Sequence, residues 1–118
     1  MDKARQKELK REYTESKRPC GVYIITNTAN GRVFIEASND VPAKMNRDKA
    51  QLSFGAHPVK GLLAEWKIFG PDAFSFETLE LLEDDYDTKD AMMRDLETLK
   101  QLYIDRYQPF GERGYNKR

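Results

Sequence analysis

The sequence contains one cysteine and one histidine among its 118 residues. Cys20 alone cannot form an internal disulfide, and Cys20 with His57 supplies too few ligands for a zinc site built from cysteine and histidine. Apolar runs are only a few residues long, and the basic, polar start lacks an apolar stretch. These features argue against a transmembrane helix and a secretory signal, so we expect a cytoplasmic protein with no membrane partner and with Cys20 in its core.

The sequence also lacks net charge, because 20 basic and 20 acidic side chains cancel. This balance is not typical of a strongly cationic nucleic-acid binder. The charges are nevertheless uneven: residues 1–18 carry seven Lys/Arg against four Asp/Glu, residues 100–118 carry five against two, and residues 83–95 carry two against six. A partner bearing phosphates would meet the two ends, or these charges only solvate ordinary helix faces.

No internal repeat, low-complexity tract or long linker is present, which indicates a single domain. Residues 3–16 are charged almost throughout and predict an N-terminal helix with one narrow apolar stripe. Residues 21–26 and 32–37 are rich in β-branched and aromatic side chains. The pair Asn30-Gly31 between them is favoured in type I′ turns, so this region predicts a β-hairpin.

Helical periodicity predicts three further helices. The first covers residues 41–52, the second begins at Pro58 and stops at Gly70, and the last covers residues 88–107. Residues 74–82 predict a third strand before the last helix. The expected fold class is α+β, with a small three-stranded antiparallel sheet, helices packed on it and an additional N-terminal helix.

Six short patterns occur in the order found in one nuclease family. They are Gly21-Val22-Tyr23, Val33-Phe34-Ile35-Glu36, His57, Trp66 to Gly70, Tyr103-Ile104 and Gly114-Tyr115-Asn116. Each pattern alone is weak, but their order and spacing make the chain resemble a degenerate member of the GIY-YIG endonuclease family. On this resemblance, residues 19–118 form the GIY-YIG-like domain and residues 1–18 a helical extension.

The resemblance implies hydrolysis of DNA phosphodiesters with a divalent metal, Mg²⁺ or Mn²⁺. In the family, two motif tyrosines and a histidine handle the nucleophile and its proton, an arginine steadies the phosphate, a glutamate holds the metal and an asparagine supports the site. Matched by position, these roles fall to Tyr23, Lys44, His57 and Asn116. Glu97, one helical turn before the family's glutamate position, is the candidate metal ligand.

DNA is the partner that the resemblance implies. The residues expected to contact nucleic acid are basic and lie near the presumed site or in the C-terminal tail. They are Lys44, Arg47, Arg113 and Lys117.

Several positions depart from the family pattern. Phe34 replaces the second motif tyrosine and cannot carry a proton, and Glu36 replaces a glycine and would repel a phosphate. Lys44 replaces an arginine without its planar fork, and Asp48 stands where the family has a histidine. Lys100 occupies the position of the metal-binding glutamate, where a cation would repel the ion.

Each candidate also has an ordinary structural interpretation. Tyr23 would be a half-buried strand aromatic, Lys44 part of a solvated helix face and His57 a surface histidine. Glu97 would be an exposed helix carboxylate and Asn116 part of a frayed terminus. The sequence therefore leaves three functions open: a metal-dependent DNA endonuclease, a nucleic-acid-binding domain that does not cut, and a protein-interaction or regulatory module on the same scaffold.

Overall fold

The computed structural model describes residues 18–83 and 85–117. The helix predicted over residues 3–16 lies outside the described residues. The regular elements are β1 (Gly21–Asn27), β2 (Val33–Ser38), α1 (Val41–Phe54), α2 (Lys60–Phe69), β3 (Phe74–Leu81) and α3 (Lys89–Tyr107), with short 3-10 helices at Pro71–Ala73 and Gly111–Arg113. Within the described residues, no helix combines the length and apolar character needed to cross a membrane.

The three strands form one antiparallel sheet, as the sequence predicts, and their order in the sheet is β2-β1-β3. Side chains alternate along the central strand β1. Val22 and Ile24 belong to the core cluster that includes Leu99 of α3, whereas Tyr23 and Ile25 belong to the cluster under α1 and α2. The sheet therefore separates two helical layers, and the predicted α+β class is confirmed.

The hairpin between β1 and β2 forms, but the prediction of a type I′ turn is wrong. That turn needs positive φ at both central residues, and only Gly31 has it, at 81°, whereas Asn30 does not. The carbonyl of Asn27 accepts N–H bonds from Asn30 and Gly31, and its side chain accepts the N–H of Ala29 at 3.0 Å. The Asn27 N–H then donates to the carbonyl of Arg32 at 2.8 Å, which closes a longer loop.

Two helix boundaries also differ from the prediction. α1 begins after Asp40, whose carboxylate accepts an N–H of the first turn, and continues two residues past position 52 until Gly55, which has a φ of 76°. α2 begins at Lys60, so the prediction that Pro58 opens it is wrong. The N–H that follows Pro58 is bound by the side chain of His57, which holds this segment in a turn before the helix.

Gly21, the first residue of the tripeptide Gly21-Val22-Tyr23, is required by the packing of the strands. A Cβ atom there would lie 2.1 Å from the backbone oxygen of Glu80 on β3, far inside van der Waals contact. The sheet register shifts immediately afterwards, between Val22 and Tyr23. Cys20, which precedes this tight crossing, is buried as predicted.

Candidate functional site

Two carboxylates are buried on the face of the sheet that α1 and α2 cover. Asp48 lies on the inner side of α1, and Glu65 lies on the inner side of α2. A buried charge is tolerated only when it is paired and hydrogen-bonded. Each carboxylate is accordingly surrounded by donors, which we call the Asp48 cluster (Tyr23, Lys44, Asp48 and His57) and the Glu65 cluster (Asn27, Asn30, Arg32, Glu65 and Tyr115).

The Asp48 cluster brings together three of the catalytic candidates. The hydroxyl of Tyr23, from the middle of β1, donates to Oδ2 of Asp48. Oδ1 of Asp48 lies 2.7 Å from Nζ of Lys44, one turn earlier on α1, and 3.0 Å from Nε2 of His57. Lys44 is therefore paired with a buried carboxylate, and its interpretation as part of a solvated helix face is wrong.

His57 is held in one orientation by contacts on both of its ring nitrogens. Nδ1 accepts the N–H of Val59 at 3.0 Å, so the proton resides on Nε2 and points to Asp48. The residue is 4% exposed, and the ring of Phe34 packs edge-on against it with the centroids 6.4 Å apart. The interpretation of His57 as a surface histidine is therefore wrong, and Phe34 contributes packing where the family pattern has a hydroxyl.

Electrostatics fix the protonation states within the Asp48 cluster. Burial opposes charge on Asp48, but hydrogen bonds from His57, Lys44 and Tyr23 outweigh it and hold the pKa of this carboxyl below its ordinary value. Burial, followed by the hydrogen bond to Asp48 and the charges of Asp48 and Glu36, raises the pKa of the Tyr23 hydroxyl far above its ordinary value. Tyr23 therefore remains a donor and Asp48 an acceptor throughout the physiological pH range.

Glu36 and Lys100, two of the departures from the family pattern, form an ion pair with each other. Nζ of Lys100 on α3 lies 2.8 Å from Oε1 of Glu36 on β2. Glu36 is the strand neighbour of Tyr23 in the β1–β2 register, and the same oxygen accepts the N–H of Ala37. The position where the resemblance implies a metal ligand is therefore occupied by an ammonium that a neighbouring carboxylate neutralises.

The described residues contain no cluster of side chains that would by itself enclose a divalent metal ion. No three His, Cys, Asp or Glu side chains within residues 18–83 and 85–117 converge on a point where an ion would be held. Glu97 lies on the exposed surface of α3, in a shallow depression that Asp90, Met93 and Arg94 also line. Both oxygens of Asp48 are already engaged by protein donors.

The remaining candidates lie outside the Asp48 cluster. The side chain of Asn116 pairs with the backbone of Ile35 on the β2 edge, accepting its N–H at 2.9 Å and donating to its carbonyl at 2.8 Å. The interpretation of Asn116 as part of a frayed terminus is therefore wrong. Arg47 on α1, and Arg113 and Lys117 in the C-terminal segment, are exposed to solvent.

The Glu65 cluster was not foreseen from the sequence. Glu65 accepts hydrogen bonds from Nδ2 of Asn27 at 3.1 Å and from the hydroxyl of Tyr115 at 2.9 Å, and also from Asn30 and the guanidinium of Arg32. Arg32 lies over the Tyr115 ring, 4.6 Å from its centroid. These contacts fasten the C-terminal segment to the hairpin and to α2.

The same electrostatic pattern recurs in the Glu65 cluster. Burial opposes charge on Glu65, but hydrogen bonds from Asn30 and Tyr115 and the charge of Arg32 hold the pKa of the carboxyl below its ordinary value. Burial, together with the hydrogen bond to Glu65, raises the pKa of Tyr115 to about 12. This cluster thus also holds a charged carboxylate against a neutral tyrosine.

Most of the chain is similar in structure to a nuclease catalytic domain that has been solved in two forms. The catalytic domain of the homing endonuclease I-TevI aligns with a TM-score of 0.64 and 23% sequence identity, covering 84% of this chain and 98% of that one. A mutant of the catalytic domain of the intron endonuclease I-TevI aligns with a TM-score of 0.65 and 23% identity, covering 83% of this chain and 92% of that one. No protein-family model and no curated protein matches the chain. The GIY-YIG nuclease-like fold that the motifs imply is confirmed.

Proposed function

We propose that this chain, which has the GIY-YIG nuclease-like fold of a homing-endonuclease catalytic domain, binds DNA without hydrolysing it. The similar domains are endonucleases by name, so their fold is associated with a nucleic-acid partner. Fold alone does not carry function to this chain, and the proposal rests on the surface and the buried groups of this protein.

The surface formed by α1 and α2 carries the observation that most favours binding. Lys44 is paired with Asp48, and the exposed cationic side chains in this part of the chain are Arg47, Lys49, Lys60 and Lys67. The only acids between positions 41 and 69 are Asp48 and Glu65, and both are buried and paired. Every exposed charge over these two helices is therefore positive, as a surface that binds phosphates requires.

Another part of the chain has the reverse character. Residues 70–88, which include β3 and the loop that follows it, contain seven Asp/Glu and no Lys/Arg, whereas α3 carries four of each. A net charge of zero thus conceals a polarised molecule in which only one helical layer would attract a polyanion. We infer that DNA approaches the α1–α2 layer, which is net positive, and avoids the acidic residues 70–88.

The Asp48 cluster supports binding without hydrolysis. A general base must be free to accept a proton from the attacking water. Asp48 already accepts three hydrogen bonds, Tyr23 is fully buried with a raised pKa, and Nδ1 of His57 is engaged by a backbone N–H. None of these groups is available to a substrate, so their arrangement is that of a structural cluster.

A salt titration of DNA binding tests the proposal. We expect the affinity of the purified protein for a labelled DNA duplex, measured by fluorescence anisotropy, to fall steeply as salt rises, with a slope of about 0.9 per phosphate contact on a logarithmic plot. A double variant with Lys60→Gln and Lys67→Gln should bind more weakly and show a smaller slope.

The matched control removes two cations from the other helical layer. Lys89→Gln with Arg94→Gln changes the net charge by the same amount but alters α3. We expect this control to bind almost as the unmodified protein does. Absence of salt-sensitive binding at low ionic strength, or equal losses in the two double variants, would refute the proposal.

The cytoplasmic location expected from the sequence stays a prediction.

A further inference from the structure

Phe54, the last residue of α1, is the most exposed large apolar residue in the part of the chain that the structure describes. It is 85% exposed, and Ile68 on α2 is 73% exposed. An aromatic ring in water loses the favourable free energy of burial. Both side chains belong to the two helices whose exposed charges are all positive.

Two cations lie near Phe54. Arg47 precedes it by seven residues on α1, which is two helical turns, so both side chains project from the same face about 10 Å apart. Lys67 of α2 lies near the end of α1, with Nζ 3.9 Å from the position that a Cβ atom would take at Gly55, the residue after Phe54. The exposed ring therefore has cations close to it on both helices.

An aromatic side chain among cations is the combination that binds single-stranded nucleic acid. A base stacks on the ring while the neighbouring cations contact the phosphates on either side. A duplex keeps its bases stacked on one another and presents mainly phosphates to a protein surface. The cations Arg47 and Lys67 near the ring favour a phosphate-bearing ligand over an uncharged protein surface.

We infer that the α1–α2 surface binds unpaired nucleic acid, with a base stacked on Phe54 and phosphates contacted by Arg47 and Lys67. This inference rests on the proposed function and specifies the form of DNA that it concerns. It gives a role to Phe54, a residue that belongs neither to the motifs of the nuclease-like fold nor to the Asp48 cluster.

Paired binding measurements on two probes test the inference. The probes are a fluorescein-labelled oligothymidylate and a labelled hairpin duplex of the same total length, each titrated with the full chain at low salt. We expect tighter binding to the oligothymidylate, and we expect Phe54→Ala to weaken that binding by roughly fivefold or more, the range for loss of one stacked base. Phe54→Trp should retain it, and duplex binding should change little with Phe54→Ala.

Leu102→Ala provides the matched control, because Leu102 is 59% exposed on α3, in the other helical layer. We expect it to leave both affinities unchanged. Salt-sensitive binding that Phe54→Ala leaves intact, or weakens equally for both probes, would overturn this inference and leave the proposed function standing. Failure of the unmodified protein to bind either probe would overturn both.

Discussion

The Asp48 and Glu65 clusters stabilise a buried charge in the same way, although only one of them occupies positions that the family pattern associates with catalysis. Each contains a carboxylate on the inner side of a helix, a tyrosine with a raised pKa and a cationic side chain. The Glu65 cluster fastens the C-terminal segment and needs no catalytic explanation. The likeness shows that the Asp48 cluster, too, has the composition that burial of a carboxylate requires.

The two clusters differ in what they hold together. The Asp48 cluster joins the middle of β1 to α1 and to the loop before α2. The Glu65 cluster joins the hairpin and α2 to a segment near the end of the chain. Perturbing the first should therefore destabilise the sheet and its helices together, whereas perturbing the second should release the C-terminal segment selectively.

Acid should produce the largest effect, because it acts on both clusters at once. The pKa values of Asp48 and Glu65 are lower in the folded protein than in the unfolded chain. Their contribution to the free energy of unfolding is present above the ordinary carboxyl pKa, about 4, and is lost as pH falls through the folded values. Urea unfolding at a series of pH values should show this loss.

At alkaline pH the dependence runs the other way, and the free energy of unfolding should fall as pH rises. The pKa values of Tyr23 and Tyr115 are raised on folding, so their contribution is complete below about pH 10 and declines as pH rises further. Tyrosinate absorbance should therefore lag behind that of free tyrosine and rise with unfolding. A free energy of unfolding that is flat from neutral to acid pH would contradict the description of both clusters.

Among single substitutions, Asp48→Ala should cause the greatest loss of stability. It leaves the hydroxyl of Tyr23, Nε2 of His57 and the ammonium of Lys44 without their acceptor, so we expect the free energy of unfolding to fall by about 3–5 kcal/mol. Chemical denaturation measures it. The control is Glu77→Ala, an exposed acid on β3. Equal effects of the two substitutions would show that Asp48 has no special structural role.

Glu65→Ala should have a smaller global effect, about 2–3 kcal/mol, because the carboxylate keeps slight access to water and Arg32 retains two carbonyl acceptors. Its distinguishing effect should be local. Amide hydrogen exchange at Tyr115 and Asn116 should accelerate more than exchange in β1. Uniform acceleration of hydrogen exchange across the sheet would contradict the different structural roles of the two clusters.

Tyr23→Phe should produce the smallest of these changes, about 1.5–2 kcal/mol, since Asp48 keeps Lys44 and His57 as donors. The ring remains to fill its place in the core. The measurement compares the denaturation midpoint of Tyr23→Phe with that of Asp48→Ala. A loss as large as that of Asp48→Ala would mean that Tyr23 is the principal partner of the carboxylate.

The sequence was sufficient to predict the strands, their order along the chain and most helix boundaries, because these follow from side-chain periodicity. The turn type could not be read from Asn30-Gly31, since the carbonyl and side chain of Asn27 organise a longer loop. The Glu36–Lys100 pair was also beyond prediction. It depends on how α3 crosses the edge of β2, which no local pattern records.

Burial of the two carboxylates could have been predicted. Asp48 lies on the same side of α1 as Val41 and Leu52, and Glu65 lies beside Trp66 on the apolar side of α2. A carboxylate at a core position of an amphipathic helix signals a buried pair. Its partners could not be named, because they come from distant parts of the chain and meet only in the folded protein.

The most direct test of binding without hydrolysis is a plasmid-nicking assay. Supercoiled plasmid is incubated with the purified full chain or with Tyr23→Phe in Mg²⁺ or Mn²⁺. An active homing endonuclease is the positive control. The buried Tyr23 hydroxyl donates to Asp48, and Lys100 is paired with Glu36. We therefore expect the unmodified protein and Tyr23→Phe to nick no more than buffer does. Nicking by the unmodified protein that disappears in Tyr23→Phe would contradict the structural role assigned to the Asp48 cluster.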